Sequence, residues 1–251
     1  MREEMRAHRI ALEFSKAELG LVDQHINSTV VVFGSSRARA SGTAQRRNVG
    51  KQGRNAAASS HSSGDLSSWY DEAMEFGRIV SERGGALSLV NGMRENVITT
   101  GGGPGIMEAA NRGAADTGAP TIGFNIKLPA EQSPNKYISE SLSFSFNYFA
   151  VRKMHFAMRA NALAVFPGGF GTLDELFEIL TLKQTRKTGG MPVILFSRRY
   201  WTEVVNFQAL ADCGSIDATD LDLFRVVDDA EEGWQAMVDQ GLTTPTPLRD
   251  K

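Results

Sequence analysis

The feature of this chain that most constrains its fold is a repeated succession of short apolar strand, glycine-containing turn and helix. Residues 29–33 read TVVVF and lead into Gly34-Ser35-Ser36, and residues 96–100 and 162–166 each lead into a longer glycine loop. Short β-branched and apolar runs of this kind are typical of strands buried in parallel sheets. Because alternating helices cover such a sheet on both sides, the sequence predicts an α/β fold, a Rossmann-like doubly wound parallel sheet with helices on both faces.

The rest of the chain continues this alternation. Further strands are predicted at residues 120–124, 142–146, 192–196 and 223–227. Helices are predicted at residues 3–20, 69–83, 106–118, 148–160, 173–187, 200–211 and 230–240. Ligands of doubly wound sheets bind at the carboxyl ends of the strands, near a topological switch point, so both glycine loops are expected at that edge.

The length and composition favour one domain. The chain has 251 residues, 41% of them hydrophobic and 22% charged, and the alternation has no clean break, so we predict a single domain over residues 1–251. Residues 37–68 differ, because they are rich in Ala, Ser, Gly and Arg and almost lack large apolar side chains. We expect a disordered or mobile insertion there. Its basic character fits either a solvated loop or an anion-attracting flap or partner tether.

The charge and cysteine content narrow the class of protein further. A formal net charge of -2 gives no general attraction to nucleic acid or to a membrane surface. One cysteine, Cys213, cannot form an internal disulfide, which fits a reducing compartment. The early residues lack the pattern of a signal peptide, and no apolar run approaches the roughly 18 residues that span a bilayer. We therefore expect a cytoplasmic protein with no membrane partner.

The first glycine loop reads GGGPG over residues 101–105. Gly101, Gly102 and Gly103 let the backbone turn tightly and approach a ligand closely. The helix that follows offers free N–H groups and a positive dipole end to a phosphate or a carbonyl oxygen. Ile106 stands where a dinucleotide fingerprint needs its last glycine, and no Gly-Lys-Ser/Thr follows, which disfavours NAD and ATP. An ordinary strand-to-helix turn remains the alternative.

The second glycine loop reads PGGFGTLDE over residues 167–175 and repeats the same design. The candidate phosphate ligands are Gly168, Gly169, Gly171 and Thr172. Glu175 follows within the first helical turns and could reach a sugar held beside that phosphate. Thr172 and Glu175 also have the spacing of a capping box, which is the structural alternative for both residues. Two such loops at one sheet edge arise by chance much less often than one.

A basic stretch precedes the second loop, on the helix predicted at residues 148–160. Arg152, His155 and Arg159 share one helix face, with Lys153 beside them. From spacing alone, a solvated basic face is the alternative to a ligand site. We expect a metal site nowhere in the chain, because its four histidines are scattered and no His/Cys pair has ligand spacing.

Together, the GGGPGIME and PGGFGTLDE motifs resemble the LONELY GUY (LOG) family. The mark of that family is the motif P-G-G-x-G-T-x-x-E with an Arg-Lys pair on the preceding helix, here Arg152 and Lys153. The resemblance covers about residues 29–240 outside the insertion. It implies a phosphoribohydrolase, an N-glycosidase that converts a purine nucleoside 5′-monophosphate to free base and ribose 5-phosphate.

The resemblance also implies roles for individual residues. Departure of a purine leaves an oxocarbenium-like sugar, which a carboxylate can stabilise while it orients water, and this role falls to Glu175. Arg152 would position the nucleotide or stabilise the departing base. The predicted substrate ligands are Ser35, Gly101, Gly102, Gly103, Lys153, Gly168, Gly169, Gly171 and Thr172.

The substrate class implied by the resemblance is a cytokinin riboside monophosphate or AMP. The scheme needs no metal and no cofactor. Family members have also been labelled lysine decarboxylase, but nothing in this sequence indicates a pyridoxal phosphate site.

Two other classes of protein are alternatives for this pattern. Molybdenum-cofactor carriers hold a phosphorylated pterin on similar loops without hydrolysing it, and a carrier does not need the carboxylate of Glu175. A DNA-handling protein is supported only by the basic stretch at residues 37–68. The expected partner is a small-molecule nucleotide, without nucleic acid, and family membership implies a homodimer or higher homo-oligomer.

Overall fold

The computed structural model describes residues 3–41, 66–128 and 133–245. The strands are β1 (Thr29–Phe33), β2 (Val97–Thr100), β3 (Ile122–Ile126), β4 (Ser143–Phe146), β5 (Ala160–Val165), β6 (Val193–Phe196) and β7 (Arg225–Val227). The α-helices are α1 (Arg6–Asp23), α2 (Leu66–Arg83), α3 (Ile106–Asp116), α4 (Phe149–Met158), α5 (Phe170–Gln184), α6 (Arg198–Val204), α7 (Phe207–Asp212) and α8 (Ala230–Asp239). Short 3-10 helices lie at Glu3–Met5, Glu140–Leu142 and Ala218–Leu223.

Strands β1 to β7 form one parallel sheet in the order β4-β3-β2-β1-β5-β6-β7. The predicted Rossmann-like α/β fold is confirmed. The chain moves outward from β1 to β4 and then returns to the other side of β1 with β5, so the topological switch point lies between β1 and β5. The turns that follow β1, β2 and β5 therefore meet at the carboxyl edge, as doubly wound sheets require.

The core has two layers because successive strand residues point to opposite faces of the sheet. In β1, Val31 and Phe33 pack into a cluster that includes side chains of α1, α4 and α5. Val30 and Val32 pack into the opposite cluster, with side chains of α2, α3 and α8. This two-sided burial explains why the central strands read as continuous apolar runs.

Most predicted boundaries differ from the structure by a few residues, and three of the differences have a structural consequence. Helix α5 begins at Phe170, three residues earlier than predicted. The helix predicted at residues 200–211 is divided into α6 and α7, and the side chain of Asn206 caps α7 by accepting a hydrogen bond from the backbone N–H of Ala209. Residues 66–68 of the predicted insertion form the start of α2. Residues 42–65, which carry most of that prediction, lie outside the described residues.

Helices α2 and α3 approach each other closely at two glycines. A Cβ atom at Gly77 would lie 2.3 Å from the carbonyl oxygen of Ala110, and one at Gly113 would lie 1.8 Å from the carbonyl oxygen of Met74. Both obstacles are backbone atoms, which cannot rotate away. The pair of helices therefore needs glycine at these positions, and the start of α3, which follows the first glycine loop, is fixed by this packing.

We predict that Gly113→Ala destabilises the protein by at least about 2 kcal/mol, because the added methyl group forces α2 and α3 apart. The sign is diagnostic, since Gly→Ala in an unconstrained helix interior is stabilising by about 1 kcal/mol. Urea unfolding followed by circular dichroism measures the change. Gly190→Ala serves as the control, because nothing lies within 4 Å of its Cβ position. A stabilised Gly113→Ala protein would contradict the prediction.

Candidate active site

The turn after β1 connects the two glycine loops by backbone hydrogen bonds. The N–H of Ser35 donates to the carbonyl oxygen of Pro167, 2.9 Å away, and the carbonyl oxygen of Ser35 accepts from the N–H of Ile106 at 3.0 Å. Gly105 has a φ of +75°, and a Cβ there would lie 2.3 Å from the Ser35 carbonyl oxygen. The close approach of the loops therefore requires glycine at position 105.

Three polar side chains, of Thr100, Asn111 and Asn135, hold the first glycine loop by hydrogen bonds. The N–H of Gly102 donates to Thr100 Oγ1 at 2.9 Å, and that hydroxyl donates to Asn111 Oδ1 at 2.7 Å. Asn135 donates from its backbone N–H to the carbonyl oxygen of Gly102 and from Nδ2 to that of Gly103, at 2.9 and 3.1 Å. These bonds hold the backbone of the loop from the end of β2 and from the segment between β3 and β4. They fix the conformation of the loop before any ligand binds.

Two further side chains pack directly on this loop. Met107 lies over Gly101 and Gly103, where Cβ atoms would come within 2.9 and 2.7 Å of its Sδ and Cε. The carboxamide of Asn125 packs against Gly102, which has a φ of +72° and leaves no room for a side chain. Glycine is therefore required at position 102 by its backbone conformation, whereas a side chain at position 101 or 103 would displace the flexible end of Met107.

The second glycine loop is held by one tyrosine and one threonine. Tyr200, on α6, donates its hydroxyl hydrogen to the carbonyl oxygen of Gly168 at 2.5 Å. Thr172 is buried, and its Oγ1 would lie 2.1 Å from a Cβ at Gly168. At Gly169 and Gly171 the Cβ positions face open space. The open side of the loop is therefore the side from which a ligand can reach the amides at the start of α5.

The capping box, which was the structural alternative for Thr172 and Glu175, does not form. The residue that caps α5 is Gly169, without any side-chain hydrogen bond to the helix, and the helix already begins at Phe170. Glu175 therefore lies in the second turn, beyond the free amides of the helix start. Its carboxylate is directed to Arg152 instead.

Arg152 and Glu175 form a nearly enclosed ion pair. Arg152 Nη2 donates to Glu175 Oε1 at 2.5 Å, and the side chains are only 11% and 12% exposed. The guanidinium carbon of Arg152 lies 5.1 Å from the ring centre of Phe149 and 5.5 Å from that of Phe156. Its Nη1 is 4.0 Å from the Cβ position of Gly101, so the pair adjoins the first glycine loop. Arg152 Nε is buried without a hydrogen-bond partner among the described residues.

Burial perturbs the acidity of this carboxyl group. Loss of hydration raises the pKa of Glu175 to about 7, against opposing attraction from Arg152 and, more weakly, Lys153. A carboxyl group with a pKa near neutrality can exchange a proton at physiological pH, which is the property expected of a general base or acid.

The remaining basic residues of α4 serve mainly to hold helices together. Lys153 Nζ lies 2.7 Å from Asp174 Oδ2 and 3.2 Å from Glu178 Oε2, so it joins α4 to α5. His155 is buried between aromatic rings, with Nδ1 3.4 Å from Glu18 Oε1. Arg159 binds the same carboxylate at 2.9 Å. The alternative of a solvated basic face for α4 is therefore wrong.

The structure brings some of the predicted site residues together and separates others. Arg152, Glu175 and Gly101 lie side by side, and Ser35 lies at the seam between the loops. Lys153 is directed toward acidic residues of α5. The residues that sequence reasoning missed are Asn111, Asn125, Asn135 and Tyr200, which support the loops from elsewhere in the chain. No local motif marks them, because their contacts are made only by the tertiary fold.

The described residues contain neither a metal-binding cluster nor a membrane-spanning helix. No group of three or more His, Cys, Asp or Glu side chains there has an arrangement that could hold a metal ion. Within the same ranges, no helix is long and apolar enough to cross a membrane.

The fold and the site define a Rossmann-like protein with two glycine loops and an Arg–Glu pair between them. A family model described as "Possible lysine decarboxylase" matches residues 107–237, and the chain belongs to this family, which includes the LOG proteins. The match spans α3 to α8 and includes the whole second loop. The family predicted from the two motifs is confirmed.

Curated relatives include two plant enzymes. The chain is 28% identical over 125 residues to cytokinin riboside 5′-monophosphate phosphoribohydrolase LOG2 of Arabidopsis thaliana, covering 49% of this chain and 53% of that protein. It is 32% identical over 123 residues to the phosphoribohydrolase LOG of Oryza sativa subsp. japonica, covering 48% and 46%. The chain spans about half the length of the curated relatives it matches.

Solved structures share the fold more completely. A structural-genomics protein designated TM1055 matches with a TM-score of 0.54 and 22% identity, covering 84% of this chain and 99% of that one. The molybdenum cofactor binding protein of Rippkaea orientalis matches with a TM-score of 0.53 and 15% identity, covering 84% and 96%. At these identities the likeness shows the fold alone.

We predict that Glu175 titrates near pH 7, and that removing Arg152 raises its pKa further. Arg152→Met removes the largest of the attractions that lower this pKa, and Lys153→Met removes a smaller one, so the upward shift is expected to be larger for Arg152→Met. Carbon-13 NMR of glutamate-labelled protein measures the titration, with Glu175→Gln assigning the resonance. A carboxyl group titrating near pH 4.5 would contradict the prediction.

Proposed function

We propose that this protein is a hydrolase that cleaves the N-glycosidic bond of a purine nucleoside 5′-monophosphate, releasing the free base and ribose 5-phosphate. The observation that carries the proposal is the enclosed pair of Arg152 and Glu175 beside two rigid glycine loops. Phosphoribohydrolase activity in the plant relatives, as their names state it, supports the same conclusion.

The 5′-phosphate binds at the second loop. Gly169 and Gly171 leave open space beside the start of α5, where free amides and the helix dipole favour an anion. Gly168 and Thr172 shape the turn, and Ser35 joins it to the first loop. Phosphate binding here fixes the distance from the ligand to Glu175, which lies on the same helix.

The sugar lies between this phosphate and the Arg152–Glu175 pair. When the bond between C1′ and the base breaks, positive charge develops on the sugar, and the carboxylate of Glu175 stabilises it. A water molecule adds its oxygen to C1′, and its proton passes to Glu175, whose pKa of about 7 suits this transfer. The base leaves with the electron pair of its bond to C1′ and takes up a proton from solvent. Arg152, which holds the carboxylate in place, donates a hydrogen bond to the base as it departs.

The base lies toward the first loop, where Gly101, Gly102 and Gly103 meet Asn125 and Met107. We propose cytokinin riboside monophosphates and AMP as the substrates. A carrier of molybdenum cofactor is the alternative, but the likeness to such a protein is confined to the fold. The free thiol of Cys213 fits action in the reducing cytosol.

We predict that the protein releases base from AMP or isopentenyladenosine monophosphate, and that Glu175→Gln and Arg152→Ala each lower kcat at least about 100-fold. Chromatography of the free base measures the rate. Glu178→Gln is the matched control, since Glu178 lies one turn along α5 and binds Lys153 rather than Arg152. Nucleotide binding without base release in the wild type would favour the carrier.

The pH profile gives a second check on the same reaction. Because the ionised carboxylate is the active form, kcat is expected to rise as the pH increases through about 7. A rate that falls across this range would assign Glu175 as a proton donor instead.

The exposed apolar side chains of α4 and α5 support a homodimer. Phe170, within the second loop, is 94% exposed, and Phe149, Met154 and Phe177 are also exposed on the same two helices. Large apolar side chains gathered near a binding site are typical of a subunit interface. We propose that a second copy of the chain covers this face and limits access of water to the Arg152–Glu175 pair.

Phe170→Asp is expected to shift the protein from dimer to monomer, because a charge would be buried in the interface. Sedimentation equilibrium measures the mass. Val238→Asp is the control, since Val238 is exposed on α8, which covers the opposite face of the sheet. An unchanged mass for Phe170→Asp, or a monomeric wild type, would contradict the proposed interface.

A further inference from the structure

A cavity of about 360 Å³ adjoins the first glycine loop on the side of α2 and α3. Its walls include Ala38 and Arg39 from the segment after β1, Tyr70 from α2, Pro104 from the loop, and Glu108 and Arg112 from α3. The Arg152–Glu175 pair belongs to α4 and α5, which cover the opposite face of the sheet. The charged and phenolic groups of the cavity take no part in the proposed hydrolysis.

Two guanidinium groups line this cavity, and both are restrained. Arg39 Nη1 donates to the carbonyl oxygens of Ser36 and Ala38 at 2.9 and 2.7 Å, which holds the group across the turn after β1. Arg112 lies 5.8 Å from the ring centre of Tyr137 and has its Nε 3.6 Å from Asp116 Oδ2, a partly exposed pair. Each guanidinium carries five donors, so these contacts leave others for a ligand.

The same cavity contains a hydrogen-bond acceptor, the carboxylate of Glu108. The Tyr70 hydroxyl donates to Glu108 Oε1 at 3.1 Å. Burial raises the pKa of Tyr70 to about 12, so the phenol keeps its proton and holds the carboxylate. Glu108 retains lone pairs that can accept from a hydroxyl or amino group of a ligand. Ala38 and Pro104 add apolar surface to the same wall.

We propose that this cavity is a second small-molecule site, which binds a phosphorylated compound that also bears hydroxyl or amino groups. The two guanidinium groups match the geometry and charge of a phosphate, and Glu108 accepts a hydrogen bond from the remainder of the ligand. The volume lies within the range of about 300–1,000 Å³ that small-molecule sites occupy. The site goes beyond the proposed hydrolysis and does not depend on it.

The probe for this site is carbon-14-labelled ribose 5-phosphate, measured by equilibrium dialysis against the full chain. Wild type is expected to bind two molecules per chain, one at the second glycine loop and one in the cavity. The double variant Arg39→Gln/Arg112→Gln is expected to weaken the binding of ribose 5-phosphate in the cavity at least about tenfold. Arg78→Gln is the matched control, because this arginine is exposed on α2 and pairs with Glu75 and Glu82 outside the cavity.

Glu108→Gln tests the site by an expected increase in phosphate affinity, whereas the arginine variants are expected to lower it. Removal of the negative charge leaves an amide oxygen to accept from Tyr70 and is expected to tighten phosphate binding about threefold, which misfolding cannot imitate. Unphosphorylated ribose is expected not to bind the cavity. Binding that persists in Arg152→Ala and Glu175→Gln and is weakened there by the added Arg39→Gln/Arg112→Gln change supports this site even where no nucleotide is cleaved. An isotherm unchanged by the arginine and glutamate variants, or no binding at all, would overturn the proposal.

Discussion

The parallel pairing of β1 with β5 is the contact on which the rest of the structure depends. It brings the start of the chain against a strand that follows more than a hundred residues later, with Phe33 opposite Val165. Continuation of that pairing places the N–H of Ser35 on the carbonyl oxygen of Pro167. The two glycine loops become neighbours because β1 pairs with β5 on one side and with β2 on the other. Mutations that disturb β1 are therefore expected to act on both loops together.

Enclosure gives the Arg152–Glu175 pair its chemical character. In an exposed ion pair of this protein the arginine lowers the pKa of its carboxyl partner, as Arg78 does for Glu75. Here burial raises the pKa of Glu175 by more than the attraction of Arg152 lowers it, so the pKa of the carboxyl group rises despite the neighbouring cation. Phe149 and Phe156 contribute to this environment, because their rings surround the guanidinium group and exclude water. The reactivity proposed for Glu175 is thus a property of packing between α4 and α5.

The sequence predicted the sheet, its two covered faces and the strands that carry the glycine loops, because these depend on local apolar runs such as residues 29–33. It also singled out Arg152 and Glu175 from their motif. Other features depend on contacts between distant residues. The division at Asn206 followed from burial of Trp201 and a local cap, and Tyr200 reaches Gly168 only after α6 has packed on the sheet. The start of α5 at Phe170 was missed because Thr172 and Glu175 satisfy the spacing of a capping box without forming one.

The first glycine loop adjoins a proposed site on each side of the sheet. Gly101 faces Arg152, whereas Pro104 and Gly105 line the cavity of Arg39 and Arg112. The loop is stiff, because Gly105 packs on the Ser35 carbonyl oxygen and α3 is fixed against α2 at Gly113. A rigid element that contacts two sites transmits a displacement from one to the other, whereas a flexible loop would absorb it. The Arg152–Glu175 pair and the cavity therefore share one rigid segment, which runs from Gly101 to Gly105 and packs on Ser35 at Gly105.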